Sequence, residues 1–228
     1  MTASFQLCTI ADLPCVVRGP KAGPAILIIQ PLFEELNRTR RLLAQMAARL
    51  ADSGVRSWMP DLPGTGDAVG RMDWAAWQQI LVRFHRNIEA EYAENIKVVA
   101  VRGGSLLANV FPDRYLFAPV PNGATLLRDL LRTRAAANPD NPGERADVLA
   151  TRLKSETLEF AGYPVSPELA AAMGSATTDM LGARVAQIGE GGFTGPPVWR
   201  QAEPVDASSL AADLADDILA WISTCPSR

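Results

Sequence analysis

The chain has 228 residues, of which 48% are hydrophobic, and a formal net charge of −3. That is enough apolar material for one domain of ordinary size with a real core, spanning 1–228. Its charges are spread along the chain, so no basic run marks a nucleic-acid surface, and no aliphatic run approaches the length of a membrane span.

The first residues, MTASFQLCTIADLPC, have no basic region and carry Asp12 early, so no secretory signal is expected. Phe5–Ile10 and Cys15–Arg18 read as two short strands split by Asp12-Leu13-Pro14, a hairpin signal. Ala25–Gln30 is a continuous apolar run, as expected of a strand buried on both faces, and Pro31 ends it. Leu42, Leu43, Met46, Ala47 and Leu50 then form a helical stripe, with Gly54 at the position of a C-terminal cap. Arg38, Arg40 and Arg41 are read as lying in the first turn of that helix, where they would oppose its dipole unless Glu34 and Glu35 compensate.

Val55–Met59 is strand-like, and Pro60–Gly70, PDLPGTGDAVG, is a loop. Its glycine pattern is incomplete for a dinucleotide site, so no cofactor is expected. Asp73 can cap a helix whose inner face is Trp74, Trp77, Leu81, Phe84 and Ile88. Ile96–Val101 and Arg114–Ala118 are the next two strands. The alternation of strand and helix predicts a mainly parallel sheet with helices on both faces. From about 120 to 175 the rhythm breaks into a helical, cap-like insertion: Leu126–Arg134, Asp147–Leu158 and Pro167–Met173 read as helices. One late strand, Ala183–Ile188, a glycine-rich loop over 189–197 and an amphipathic helix over 207–222 close the chain.

Three cysteines, Cys8, Cys15 and Cys225, form no C-x-x-C pair, and their odd number suits a reducing compartment, so a cytoplasmic protein is expected. With His85 as the one histidine, no metal site is expected.

The stretch VVAVRGGSLLANV, 98–110, carries the candidate chemistry. A strand that enters a helix through small residues is how a G-x-S-x-G elbow presents a nucleophile. With Ser105 at the apex the window is Gly103-Gly104-Ser105-Leu106-Leu107, and its last glycine is a leucine. With Arg102 at the apex the window is Ala100-Val101-Arg102-Gly103-Gly104, small at both ends and joined directly to the strand. Spacing favours the second register, yet a guanidinium is not a nucleophile. A serine nucleophile also needs a base, and His85 precedes the corner while no histidine follows it. Ser105 and His85 are the catalytic candidates of an esterase reading with an atypical base. In the turn after the first buried strand, Leu32 and Phe33 are placed to offer oxyanion-type N–H groups.

With these segments in place, the chain resembles the exosortase A system-associated hydrolases of type 2, an α/β-hydrolase family. Pro31–Arg41 is similar to that family's PFAEEMNKSRR, Pro60–Asp67 to PDLYGCGDS, and Val101–Ala108 to LRLGALLA, which also has arginine at the apex. Glu156–Ala170 is similar to ETLEVAGYALSPALA, and Gly195–Trp199 to GEPFW. The resemblance implies an α/β-hydrolase-like three-layer sandwich and a place in exopolysaccharide and exosortase systems. This sequence departs from a full hydrolase in having one sheet strand after 118 where two are expected, so the sheet is reduced in strand number. The combined expectation is a protein without a working triad. It would bind a small anionic molecule or a protein partner, such as a second copy in a homodimer, at the Arg102 corner. Glu34, Glu35, Arg38 and Asp61 would stand nearby, with Trp199 as a wall.

Overall fold

A computed structural model describes residues 5–92, 95–201 and 205–224; Cys225 and the first four residues lie outside them. Strands β1 (Gln6–Ile10) and β2 (Leu13–Arg18) form the expected hairpin. Its turn is Ala11-Asp12, with φ of 51° and 67°, the doubly left-handed form that suits the twist of a two-residue hairpin. Five further strands follow: β3 (Ala25–Ile29), β4 (Arg56–Pro60), β5 (Lys97–Val101), β6 (Arg114–Phe117) and, much later, β9 (Arg184–Ala186). The seven strands form one sheet in the order β1-β2-β4-β3-β5-β6-β9. The β1–β2 and β2–β4 pairs are antiparallel, and every other pair is parallel.

The continuous apolar strands are buried on both faces, as their sequences require. Along β3, Ile26 and Ile28 face one layer while Leu27 and Ile29 face the other. The first layer holds α1 (Glu34–Asp52) and α6 (Ser208–Thr224), through Leu42, Leu43, Met46, Leu210, Leu214 and Ile218. The second holds α2 (Trp74–Tyr92) and α3 (Gly123–Ala137), through Trp77, Leu81, Phe84, Leu126 and Leu130. The architecture is therefore a three-layer α/β sandwich with a mainly parallel sheet. None of the described helices is long and apolar enough to cross a membrane.

Three local expectations are corrected. Helix α1 starts at Glu34, so its first turn is acidic and Arg38, Arg40 and Arg41 lie beyond it. The positive end of the helix dipole thus meets two carboxylates rather than three cations. After β5 there is no α-helix, only a six-residue 3₁₀ turn, Arg102–Leu107, before the chain reaches Phe111 and Pro112. The third correction falls in 147–158. Helix α4 (Ala146–Arg152) ends early, and β7 (Leu158–Phe160) pairs with β8 (Tyr163–Val165) as a separate hairpin. Leu158 and Phe160 are buried and Glu159 is exposed, a two-residue period. The turn Ala161-Gly162 again has positive φ at both residues, which Gly162 favours. Helix α5 (Pro167–Ser175) then starts from Ser166, whose side chain accepts from the Leu169 N–H.

Candidate functional site at the β5 corner

The apex of the corner is Arg102. Its φ is 51°, a left-handed conformation that a non-glycine residue adopts only where its surroundings hold it. The strand runs straight from Val101 into this residue, and the following glycines allow the tight return. A Cβ on Gly104 would lie 2.5 Å from the Gln30 carbonyl oxygen and 2.7 Å from that of Ile29, so the end of β3 rests on the corner. A Cβ on Gly103 would lie 3.4 Å from Leu32. Leu32 therefore stands against the residue that follows the apex. Phe33 is also left-handed, with φ of 58°, and packs its ring near Trp77 and Tyr163. The backbone thus keeps the outline of a nucleophile elbow with its facing turn.

The side chains at that elbow do something else. Arg102 donates from Nη2 and Nε to Glu35 Oε1, at 2.7 and 3.2 Å, and from Nη1 to the Ala118 carbonyl at 3.1 Å. Its guanidinium sits 4.6 Å from the centre of the Trp199 ring, an attractive cation–aromatic contact. Trp199 lies on a 3₁₀ turn, Val198–Arg200, and its ring meets Phe117 edge-on at 6.1 Å. Arg38 fixes that turn by donating to the Trp199 carbonyl at 3.1 Å, and it also pairs with Glu34 one helical turn away. Glu35 is thus the acid that holds Arg102, while Glu34 serves Arg38. Burial pushes the Glu35 carboxyl above the usual carboxylate range, and the Arg102 charge pulls it part of the way back.

Ser105 stands elsewhere. It is fully buried inside the 3₁₀ turn, and its hydroxyl shares a 2.9 Å hydrogen bond with Thr178. Thr178 in turn donates to the Val120 carbonyl at 2.6 Å. None of the Ser105 hydrogen bonds goes to His85. The His85 ring bonds the Ile96 carbonyl at 2.7 Å, just before β5 begins, whereas Arg102 follows its last residue. Five residues of strand, roughly 17 Å, separate the two ends. Asp61 holds its own loop: Oδ2 accepts from the Asp67 N–H at 2.9 Å and Oδ1 from Gln30 at 3.2 Å. Its place among the ligand-contacting residues is therefore not one its hydrogen bonds call for.

A cleft of about 350 Å³ opens beside the corner, lined by Glu34, Glu35, Arg38, Asp129, Thr133 and Trp199, among others. Arg102 lies behind Glu35 and Trp199 rather than on the cleft wall. The contribution of Asp129, Arg132 and Thr133 was not read from the sequence. They lie on α3, which comes to the corner through Leu126, close to where a Gly103 Cβ would be. A helical phase for 126–134 was legible, but not which strand end it would cover.

No family model matches the chain, and neither does any curated protein. Solved structures do. A mutant of potato epoxide hydrolase is 14% identical, with a TM-score of 0.56 over 98% of this chain and 100% of that one. An epoxide hydrolase of Vigna radiata is 11% identical, with a TM-score of 0.54 over 98% of each chain. A second, mutant Vigna radiata epoxide hydrolase is matched at 16% identity and a TM-score of 0.40. That match takes in 53% of this chain, which spans about two fifths (39%) of its length. At such identities the likeness concerns the backbone alone, and with the strand order, the layers and the corner it makes the fold of this chain α/β-hydrolase-like.

Proposed function

We propose that this chain is a non-catalytic member of the α/β-hydrolase fold that binds a small molecule or partner in the cleft beside the Arg102 corner. By its resemblance to the exosortase-associated family, it would serve an exopolysaccharide or protein-sorting system from the cytoplasm. The observation that carries this reading is the identity and state of the apex. Arg102 occupies the strained position that a nucleophile would hold, and its guanidinium is spent on Glu35, Ala118 and Trp199. A protonated guanidinium offers no electron pair for attack. The hydroxyl in the same turn, Ser105, is buried against Thr178, and its hydrogen bonds and those of His85 do not join the two. Arg102 acts in this reading as a positioning residue. It fixes Glu35 and Trp199, which face the ligand, and an anion would reach it only by displacing one of them.

The test is hydrolysis of short p-nitrophenyl esters and of an aryl epoxide by the purified chain. Rates at background for both are expected. Ester hydrolysis well above background that disappears in Ser105→Ala would overturn the proposal in favour of a serine hydrolase.

A further inference from the structure

Two residues that line the cleft beside the corner, Glu35 and Trp199, each carry a buried hydrogen-bonding atom that is unmet, and the two are of opposite kind. Both Arg102 bonds to Glu35 end on Oε1, and the buried Oε2 has no partner among the described residues. Trp199, 6% exposed, likewise has a buried indole Nε1–H without a partner among the described residues. Buried polar atoms in folded proteins are rarely left without one. An indole N–H can only donate, and an ionised carboxylate oxygen can only accept. A ligand that answers both must therefore present an acceptor and a donor within one small cleft.

Charge narrows the class. The charge of Glu35 is already met by Arg102 at 2.7 Å, so a second cation at Oε2 would also face that guanidinium. The cleft is lined by three acids, Glu34, Glu35 and Asp129, and by three arginines, Arg38, Arg132 and Arg200, so its walls are balanced in charge and call for a ligand of neither sign. A neutral group that both donates and accepts fits best, and a hydroxyl is the simplest such group. Thr133 adds one more hydroxyl to the wall. A cleft of about 350 Å³ suits a molecule the size of a single sugar ring or an open-chain polyol.

We propose that the cleft formed by α1, α3 and the 198–200 turn binds a neutral polyol, one hydroxyl donating to Glu35 Oε2 and a hydroxyl oxygen accepting from Trp199 Nε1. This names the ligand class of the binding site proposed above and rests on that reading. The experiment is a titration of the ¹⁵N-labelled full chain with sorbitol, inorganic phosphate and methylammonium, following the indole N–H resonances. The chain has five tryptophans, and the Trp199 signal is the one absent from Trp199→Phe. That variant keeps an aromatic face for Arg102 but no donor. Sorbitol is expected to move the Trp199 resonance in a saturable way, and Trp199→Phe to weaken its binding about tenfold, the equivalent of one hydrogen bond. The wild-type titration remains decisive if the variant does not fold. Movement of an indole resonance by phosphate or methylammonium with none by sorbitol would overturn the polyol class, as would no response to any probe. Neither result would touch the non-catalytic reading. Ester hydrolysis lost in Ser105→Ala would overturn that reading and leave a sorbitol response standing.

Discussion

Strand β5 has a distinctive side chain at each end, and the two ends are built in opposite ways. At its start, the His85 ring bonds the Ile96 carbonyl at 2.7 Å, faces Glu89 at 3.2 Å and rests near Phe111 at 4.9 Å. Both ring nitrogens face acceptor oxygens of this same chain, on Ile96 and Glu89. At its finish, Arg102 is strained, buried and paired, yet its partners Glu35 and Trp199 each keep one polar atom unmet. The contrast follows from topology. In a parallel sheet the loops leaving the carboxyl ends of the strands surround a crevice, and ligands collect there. Histidine is the residue type usually suspected of chemistry, but here it lies at the amino end of the strand, beside a separate cleft of about 300 Å³ lined by His85, Glu89 and Phe111 among others. Position in the sheet is more informative than residue type.

The largest test of this contrast removes Arg102. The side chains of Arg102 and Glu35 are 10% and 13% exposed, so Arg102→Ala would leave a buried carboxylate without its cation. A loss of about 3–5 kcal/mol in denaturant unfolding is expected. Replacing both residues, Arg102→Met with Glu35→Leu, should recover most of that loss, because no charge is then stranded. If Arg102→Ala costs under about 1 kcal/mol, the pair behaves like a surface ion pair and the corner is not the closed electrostatic unit described.

Much of this arrangement could be read from the residues. The parallel sheet followed from the alternation of strands and helices and from Ala25–Ile29 and Val98–Val101, whose unbroken apolar runs admit no exposed face. The arginine apex followed from Ala100 and Gly104, because only small residues fit where two strands and a turn meet. What could not be read was anything set by distant packing. Glu34 and Glu35 are equally plausible partners for Arg102 in sequence; the rotation of α1 decides between them, and it turns Glu34 to Arg38. The β7–β8 hairpin was hidden because three-residue strands offer too few alternations to outweigh a helical stretch beside them. Thr178 lies 73 residues from Ser105, so nothing local marks their hydrogen bond.

The amino end of β5 gives the second, smaller effect. His85→Ala removes a hydrogen bond to a backbone carbonyl and a ring contact, and it strands no charge in the core. About 1–2 kcal/mol of stability should be lost, with the response of the cleft to sorbitol unchanged. A large loss of sorbitol binding in this variant would show that the two ends are coupled, contrary to the separation drawn above.

The smallest effect is a slope in stability with pH. Burial raises the Glu35 carboxyl above its ordinary value, and Arg102 offsets part of that rise. The folded state therefore holds the Glu35 proton more tightly than the unfolded state does. Between the ordinary glutamate value and the raised one, the folded state binds more protons, so stability falls as pH rises. The contribution is complete below that window and lost above it. Carboxylates held low by arginine pairs or hydrogen bonds, such as Glu144, Asp206 and Asp216, act in the opposite sense but at lower pH. Above the ordinary glutamate value they are ionised in both states and add little slope. The groups around Glu35 that carry charge are Arg102 on the corner, Glu34 and Arg38 on α1, Asp129 and Arg132 on α3, and Arg200 after Trp199. Comparison with a variant that lacks the Glu35 carboxyl isolates the contribution of that one group. Unfolding midpoints measured at pH values rising from the ordinary glutamate value should fall gently in the wild type and stay flatter in Glu35→Gln. Equal slopes in the two proteins would mean that the corner does not hold the Glu35 proton, and the electrostatic difference between the two ends of β5 would shrink to the Arg102 pair alone.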